Sequence, residues 1–330
     1  MVNELELTIA LQEYDQVRDL TSHLIRTPGL TLNFVNMPPP EMFGRFVAHR
    51  EWHVSELSLA KYTALKAQGD DTLTAIPVFP SRTFRHSAFY VATTSSLTSL
   101  ADLAGKRVAI PEWAQTAVTY ARGLLMHEAG VALDSIHWIQ AGVNEPGRRE
   151  KVTITLPPGV TCEPRPDRTL DGMLLAGEVD AVISAQPPAS FVAGDRRVRR
   201  LFPDPLPLEQ AYWRETGIFP IMHVVAIRED VLARHPWVAG NLLSAFEEAK
   251  RRSLVRALDS MIPRFPLPWV ALRAEEARAT FGEDFWPYGL DANRRTLTAF
   301  LQFAYEQGVA QRLLEPEDLF TPASYEPYRF

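Results

Sequence analysis

Four polar side chains that can bind or protonate an organic anion lie within six residues of one another: Ser81, Arg82, Arg85 and His86. Apolar runs flank this group, Ile76–Phe79 on one side and Ala88–Val91 on the other. Such runs are typical of buried strands. Two prolines in the stretch interrupt any regular strand ladder. The pattern therefore predicts a stiff polar loop between two strand ends.

Two guanidinium groups and an imidazole in one loop favour an anion-binding site. The guanidinium of arginine is a planar donor that matches the geometry of a carboxylate. The alternative is a surface loop whose arginines are simply solvated. We prefer the anion site, because arginine next to core strands usually requires a partner.

Two further positions place polar groups at the start of a predicted helix. Ser55 and Glu56 follow a short apolar stretch, and Thr116 precedes the helical run Ala117–Glu128. The first backbone N–H groups of a helix are unpaired and attract anions. For Ser55 and Glu56 an ordinary helix start is an equally good interpretation.

His223 is the one polar residue inside the apolar run Ile218–Val225. A lone histidine on an apolar strand is more often a core residue with its hydrogen bonds satisfied than a catalyst. This strand, however, would return to the first part of the chain and so reach the candidate loop. Both interpretations of His223 stay open.

Composition excludes several classes of protein. The chain has 330 residues, 46% of them hydrophobic and 22% charged, as in an ordinary globular protein. A net charge of -6 argues against a nucleic-acid-binding surface. The single cysteine, Cys162, excludes an internal disulfide and a multi-cysteine metal cluster. No stretch resembles a leader or a membrane span, so we expect a cytoplasmic protein without nucleic-acid or membrane partners.

Strand-like and helical stretches alternate along the chain, which predicts an α/β fold with mostly parallel sheets. Their order predicts two domains with a ligand cleft between them. Residues 1–92 and 219–330 would form a first, discontinuous domain with C-terminal helices, and residues 93–218 an inserted second domain. Ser81–His86 and Pro111–Thr116 should line the cleft from its two sides.

Two segments resemble the type 2 periplasmic-binding-protein fold. They are the run Ser99–Pro111, with its Asp-Leu-Ala-Gly-Lys-Arg-Val core, and Thr169–Ile183, with Ala-Gly-Glu-Val-Asp-Ala. The resemblance supports the two-domain prediction. It says little about function, since this fold serves transporters, sensors and enzymes.

Other segments resemble the 4,5-dihydroxyphthalate decarboxylase family: Ser55–Ser58, Pro77–Ser87, Arg122–Leu125, Thr216–His223, His235–Val238 and Ala245–Lys250. The likeness runs from about Phe43 to about Lys250. It implies a carboxy-lyase that converts 4,5-dihydroxyphthalate to protocatechuate and CO₂. The chain departs from the family pattern at two positions. His53 stands where we expect an acidic residue and Gln186 where arginine is common, and either change points to another hydroxylated aromatic acid.

The implied substrate is a dicarboxylate, which Arg82 and Arg85 would hold. Decarboxylation requires a proton donor near the ring carbon and a base near the phenol para to it. We expect His86 or His223 to be the acid and Glu56 the base, without assigning the roles further. The remaining expected contacts with substrate come from four polar residues: Ser81, Ser55, Thr116 and His53.

No nucleotide-binding fingerprint or pyridoxal context occurs, so we expect no organic cofactor. A divalent metal would require His53, Glu56, His86 and His223 to converge, but their spacing matches no ligand motif, and we rank metal binding below acid–base chemistry. We also expect a homo-oligomer. The alternatives are a solute-binding protein for an aromatic carboxylate and an enzyme of another reaction on the same fold.

Overall fold

The computed structural model describes residues 4–324, in which eleven strands form two sheets. The strands are β1 Leu5–Ala10, β2 Leu30–Val35, β3 Val54–Ser58, β4 Leu73–Ile76, β5 Phe89–Ala92, β6 Arg107–Ile110, β7 His137–Gly142, β8 Cys162–Thr169, β9 Ala181–Ile183, β10 Val198–Arg200 and β11 His223–Arg228. The α/β class expected from the alternation of elements is therefore confirmed.

Eleven α-helices cover the sheets: α1 Asp15–Thr21, α2 Pro39–His49, α3 Leu59–Ala67, α4 Thr116–His127, α5 Leu170–Leu175, α6 Ala189–Val192, α7 Leu206–Thr216, α8 Glu229–Arg234, α9 Trp237–Ala257, α10 Val270–Phe281 and α11 Arg294–Glu306. Short 3₁₀ turns join several of them, including His86–Ala88 in the candidate loop. Within residues 4–324, no helix is long and apolar enough to cross a membrane.

The first sheet has the strand order β2-β1-β3-β11-β4. Strands β1, β2 and β3 are parallel, whereas β11 runs antiparallel to both of its neighbours, β3 and β4. Strand β11 comes from much later in the chain, as the expected return of the chain requires. Its register places His223 opposite Ser58 and Val225 opposite Glu56. Two residues that are far apart in sequence, His223 and Glu56, thereby become neighbours.

The second sheet has the order β10-β5-β9-β6-β7-β8 and lies between residues 89 and 200. Strand β5 pairs antiparallel with β9 and β10. The chain thus enters this sheet at Phe89, whereas our boundary at residue 92 assigned β5 to the first domain. The division of the chain into two domains stays a prediction. Residues 1–3 and 325–330, which belong to the predicted first domain, lie outside the described residues.

Helix α4 is fixed from behind by a buried arginine. The Arg122 guanidinium lies 3.9 Å from the centre of the Trp113 ring and donates to the Trp113 carbonyl and to Gln307 Oε1, at 2.8 Å each. Gly123, the next residue, faces Phe303 so closely that a Cβ would lie 2.6 Å from that ring. Helix α4 and α11 therefore pack too tightly for a side chain at this position. This contact fixes the N-terminus of α4 at the cavity described below.

The element boundaries correct one local prediction. Ser55 does not cap a helix, because it lies inside β3, and α3 begins four residues later at Leu59. All five residues of this strand are buried, including Glu56, whose carboxylate is paired inside the protein. The loop between the strands at residues 77–88 is confirmed, since β4 ends at Ile76 and β5 begins at Phe89.

Candidate active site

A cavity of about 500 Å³ lies between the two sheets. One wall comes from the first sheet and its helices: Pro38, Pro39, Pro40, Phe43, Ser58, Lys61, Arg85, Met222 and His223. The opposite wall follows strands of the second sheet: Glu112, Gln115, Thr116, Ala117, Arg148, Lys151, Ala185 and Gln186. A space of this size holds a small aromatic molecule.

His223 is held in one orientation at the start of β11. Its Nδ1 lies 2.6 Å from Oε1 of Glu56, and the Phe43 ring contacts the imidazole edge to face at 4.9 Å between ring centres. Because Glu56 occupies Nδ1, the nitrogen left for a ligand in the cavity is Nε2. A carboxylate on one nitrogen orients the ring and stabilises its protonated form.

Glu56 lies behind His223 and is fully buried. Its Oε1 also accepts a hydrogen bond from the Tyr14 hydroxyl at 2.6 Å, and its Oε2 accepts one from the Gln12 backbone N–H at 3.0 Å. Burial, and then the charge of Glu56, raise the pKa of Tyr14 far above its usual value, so this phenol stays protonated and donates. Glu56 does not line the cavity, and we therefore place it as the partner of His223 rather than beside a substrate phenol.

Arg85 presents a positive charge to the cavity. Its Nε lies 3.1 Å from Sδ of Met222, the residue before His223, and no carboxylate of residues 4–324 forms an ion pair with it. Burial lowers the pKa of Arg85 to about 10, so the group is still a cation at neutral pH. A partly buried guanidinium that forms no ion pair in the described chain is a strong candidate for binding a ligand carboxylate.

Four charged groups form an ion cluster that joins the two walls, with Lys61 from the first wall and Glu112, Arg148 and Lys151 from the opposite one. Glu112 is fully buried, and its two oxygens accept from Lys61 Nζ at 2.5 Å and from Arg148 Nε at 2.7 Å. Lys151 Nζ lies 3.7 Å from the same carboxylate and donates to the Pro40 carbonyl at 2.8 Å. Burial works to raise the pKa of Glu112, but the three cations outweigh it and hold the pKa below the usual value.

The N-terminus of α4 closes this part of the cavity. Thr116 Oγ1 lies 2.8 Å from Ser58 Oγ and accepts from the Ala60 N–H at 3.0 Å, which joins α4 to the start of α3. Thr116 and Ala117 both line the cavity. The prediction that Thr116 lies at the ligand cleft thus agrees with its position, although its hydroxyl already has two protein partners.

Arg82, expected beside Arg85 as an anion clamp, faces away from the cavity. Its guanidinium donates to the carbonyls of Phe219, at 3.1 Å, and Pro287, at 2.8 Å, and to Asn293 Oδ1. The same group lies over the Phe79 and Phe219 rings. These contacts use its donors to join the loop to the C-terminal segment, and our proposal below gives it no ligand contact.

Replacing Arg82 with methionine should therefore lower the free energy of unfolding rather than substrate affinity. The change leaves buried carbonyl oxygens without donors, at a cost on the order of 2–3 kcal/mol. Urea unfolding measures this, with the exposed Arg214→Met variant as the control. A variant of unchanged stability that has lost ligand binding would contradict this placement of Arg82.

His86 is also remote from the cavity. Its ring is buried between Phe202 and Tyr212, its Nε2 lies 3.6 Å from Glu128, and its Nδ1 has no partner in the described chain. None of its ring atoms lines the cavity. Of the two histidines considered as the acid, only His223 has the position that the role requires.

The other expected contact residues lie at the edge of the site or outside it. Ser55 donates its hydroxyl to the Glu56 carbonyl at 2.8 Å, and His53 Nδ1 accepts from the Thr8 N–H at 3.0 Å. The Ser81 carbonyl accepts from the Met222 backbone N–H at 2.8 Å, which joins the candidate loop to the residue before His223. His53, Glu56, His86 and His223 do not converge, and no group of three or more metal-ligating side chains occurs in residues 4–324.

Four residues of the site escaped the sequence reasoning: Tyr14, Lys61, Arg148 and Lys151. Glu112 lies within the segment Pro111–Thr116 that we expected at the cleft, but it was not singled out. Lys61 lies one helical turn after the end of β3, and Glu112 lies two residues after the end of β6. The ends of strands in an α/β sheet are common ligand sites. That signal was available for these two. Tyr14 lies in an irregular segment before α1, and nothing in its local sequence indicates the contact with Glu56.

The two sheets have a type 2 periplasmic-binding-protein-like fold, as the sequence resemblance implied. One similar solved structure is the periplasmic sulfonate-binding protein SsuA from Methylobacillus flagellatus KT, with a TM-score of 0.56, 14% identity, and coverage of 98% of this chain and 93% of that one. No protein-family model matches the chain.

Curated relatives identify the group within this fold. A 4,5-dihydroxyphthalate decarboxylase from Comamonas testosteroni is 36% identical over 329 residues, covering 99% of this chain and all of the relative. One from Pseudomonas putida is 37% identical over 206 residues, covering 62% of this chain and 80% of the relative. The chain belongs to the 4,5-dihydroxyphthalate decarboxylase family.

Proposed function

We propose that this protein is a carboxy-lyase that converts 4,5-dihydroxyphthalate to protocatechuate and CO₂ without oxidation. The observation that carries the proposal is His223 in the wall of a cavity, paired with the buried Glu56 behind it, together with Arg85, which lines the same cavity and forms no ion pair in residues 4–324. This reaction requires a proton donor close to the bound dicarboxylate substrate. The names of the relatives point to the same substrate.

Binding of the substrate relies on Arg85 and on the N-terminus of α4. The two carboxylates of the substrate are adjacent on the ring, so one end of the molecule carries both negative charges. Arg85 provides a two-pronged donor for the carboxylate that is retained, and the first N–H groups of α4 add their dipole. The departing carboxylate gains less from these charges, and loss of neutral CO₂ is easier from a site that has excluded water.

Proton transfer relies on His223. In the imidazolium form, Nε2 donates its proton to the ring carbon that bears the departing carboxylate, and the oxygen para to that carbon supplies electrons. The bond from the ring to the carboxylate then breaks, its electron pair restores the aromatic ring, and CO₂ leaves. Glu56 stabilises the imidazolium before the transfer, and Tyr14 fixes the carboxylate through a hydrogen bond.

A panel of phthalates tests this function. Wild-type protein is incubated with phthalate, 4-hydroxyphthalate and 4,5-dihydroxyphthalate, and the products are separated by chromatography. We expect protocatechuate only from the dihydroxy compound and no product from phthalate, which lacks a para oxygen. Binding of all three without any product would contradict the proposal and favour a binding protein for aromatic carboxylates.

Glu56→Gln should lower kcat by roughly ten- to a hundred-fold, about the effect of removing the partner that orients a histidine. Glutamine keeps the shape of the side chain but removes the negative charge beside Nδ1 of His223. A steady-state assay measures kcat, with Glu51→Gln, whose carboxylate pairs with Arg45 at the surface, as the control. An unchanged kcat would contradict this role of Glu56.

The proposal includes a cytoplasmic homo-oligomer without nucleic-acid or membrane partners. Apolar side chains that self-association could bury are exposed after α9, at Met261, Leu267 and Trp269. Light scattering of the purified protein measures the assembly, and a monomer at all concentrations would contradict this part.

A further inference from the structure

The ion cluster of Glu112 lies in the cavity wall and has no role in the chemistry described so far. Lys61 is nearly fully buried, and its ammonium donates to Glu112 at 2.5 Å and to the Ala114 carbonyl at 3.2 Å. An ammonium has three donors. The third has no protein acceptor in residues 4–324, and Lys61 lines the cavity. One N–H of a buried cation is therefore available to a ligand oxygen.

The charge around Lys61 favours a further anion. Three cations, Lys61, Arg148 and Lys151, face two carboxylates, Glu112 and Glu150. Burial raises the pKa of Glu150. Within residues 4–324, the Arg148 guanidinium donates through its Nε to Glu112 and has no other hydrogen-bond acceptor. The three cations of the cluster therefore carry more charge than its carboxylates neutralise.

The position of Lys61 relative to His223 limits which substrate oxygen it meets. Ser58 is the register partner of His223, and Lys61 lies three residues after Ser58 in the first turn of α3. Lys61, Arg85 and His223 all line the same cavity. The proposed function uses Arg85 and His223 for the carboxylate end of the substrate, which leaves Lys61 as the cation for the hydroxyl end.

We propose that Lys61 binds the substrate oxygen para to the departing carboxylate and holds it as a phenolate. This inference rests on the proposed function. The phenol loses its O–H proton to water as it binds, and His223 gives one proton to the ring carbon. The bond from the ring to the carboxylate breaks, CO₂ leaves, and the product phenolate regains a proton on release. One proton is consumed for each CO₂ formed.

A catecholate is a better electron donor to the ring than a neutral catechol. Protonation of the ring carbon creates positive charge that the para oxygen must absorb, and a phenolate oxygen absorbs it without losing a proton in the same step. Glu112 does not take the phenolic proton in this scheme, because its cations hold its pKa low. Its role is to keep Lys61 in place, which makes Glu112 a positioning residue.

Ultraviolet difference spectroscopy tests the assignment, because ionisation of a catechol moves its absorption to longer wavelength. Protocatechuate is the probe, since it has both hydroxyls and no second carboxylate to lose. At neutral pH we expect bound protocatechuate to show the catecholate spectrum with wild type and with His223→Gln, and the neutral spectrum with Lys61→Met. The decarboxylation rate of Lys61→Met should fall by roughly 10²–10³-fold, as when one donor to a developing oxyanion is removed.

Two controls separate this role from structural damage. Lys66→Met changes a lysine on the same helix that pairs with Asp71, and should keep the spectrum and the rate. Lys61→Met/Glu112→Gln removes the buried ammonium and the buried carboxylate together, so that only the partly exposed Arg148 and Lys151 lose a partner, and it should show the same spectral loss as Lys61→Met. Phthalate, which has no hydroxyl, should bind wild type and Lys61→Met equally.

A neutral catechol spectrum with wild type would overturn the assignment and leave the proposed function intact. An equal loss of phthalate affinity in Lys61→Met would overturn it too, because Lys61 would then bind a carboxylate. If wild type shows the catecholate spectrum but releases no CO₂ from 4,5-dihydroxyphthalate, the contact with Lys61 is supported and the proposed function fails.

Discussion

His223→Gln should lower kcat for decarboxylation by roughly two to four orders of magnitude while ligand affinity is retained. Glutamine keeps a polar group that can hydrogen-bond Glu56 but cannot carry the proton to the ring carbon. The change in kcat without a matching change in Kd would show that the imidazole acts on the reaction and not on binding. Calorimetry with phthalate and a steady-state assay with 4,5-dihydroxyphthalate give the two quantities.

The matched control is His86→Gln, which alters the other histidine considered from the sequence. His86 has no atom in the cavity wall, so its variant should turn over at the wild-type rate. Full turnover by His223→Gln, or a loss of turnover in His86→Gln that His223→Gln does not show, would contradict the assignment.

Arg85→Ala should weaken dicarboxylate binding by tens- to hundreds-fold, because a charge-assisted contact in a desolvated site contributes on the order of 2–4 kcal/mol. Lysine at this position should restore only part of the affinity, since its ammonium lacks the two-pronged geometry. Kd for phthalate measures the effect independently of catalysis.

Arg107→Ala serves as the control for Arg85, because Arg107 is a surface arginine paired with Asp180 at 2.8 Å. Its variant should bind phthalate like wild type. A Kd for Arg85→Ala within a factor of two of wild type would show that another group binds the carboxylate. The first candidate would then be Arg148, whose guanidinium also lines the cavity.

The two arginines of the candidate loop show where sequence reasoning succeeds and fails. The local pattern correctly predicted that Arg82 and Arg85 lie in a loop between strands. It did not predict the direction in which each side chain points. Arg82 pairs by a β-bridge with Ile221, and its side chain reaches acceptors more than 130 residues later in the chain. Contacts of that kind depend on tertiary packing and leave no trace in the local sequence.

His223 illustrates a prediction that local sequence could support. A histidine at the start of an apolar strand was visible, and the return of the chain to the first sheet placed it near the loop. Its partner was not derivable, because the register of β11 against β3 decides that Glu56 lies behind it. A shift of one residue in that register would turn Glu56 to the opposite face. Because the sequence does not reveal this register, it could not show that Glu56 lies behind His223 and not beside the substrate phenol, where we expected it.

Carboxyl-labelled 4,5-dihydroxyphthalate in deuterated water provides the most direct test of the account. We predict that wild type releases one equivalent of labelled CO₂ and yields protocatechuate with one deuterium at the vacated ring carbon, while His223→Gln does so at a small fraction of the rate. Mass spectrometry reads both products. Unchanged substrate recovered from the protein would contradict the claim that this cavity catalyses decarboxylation.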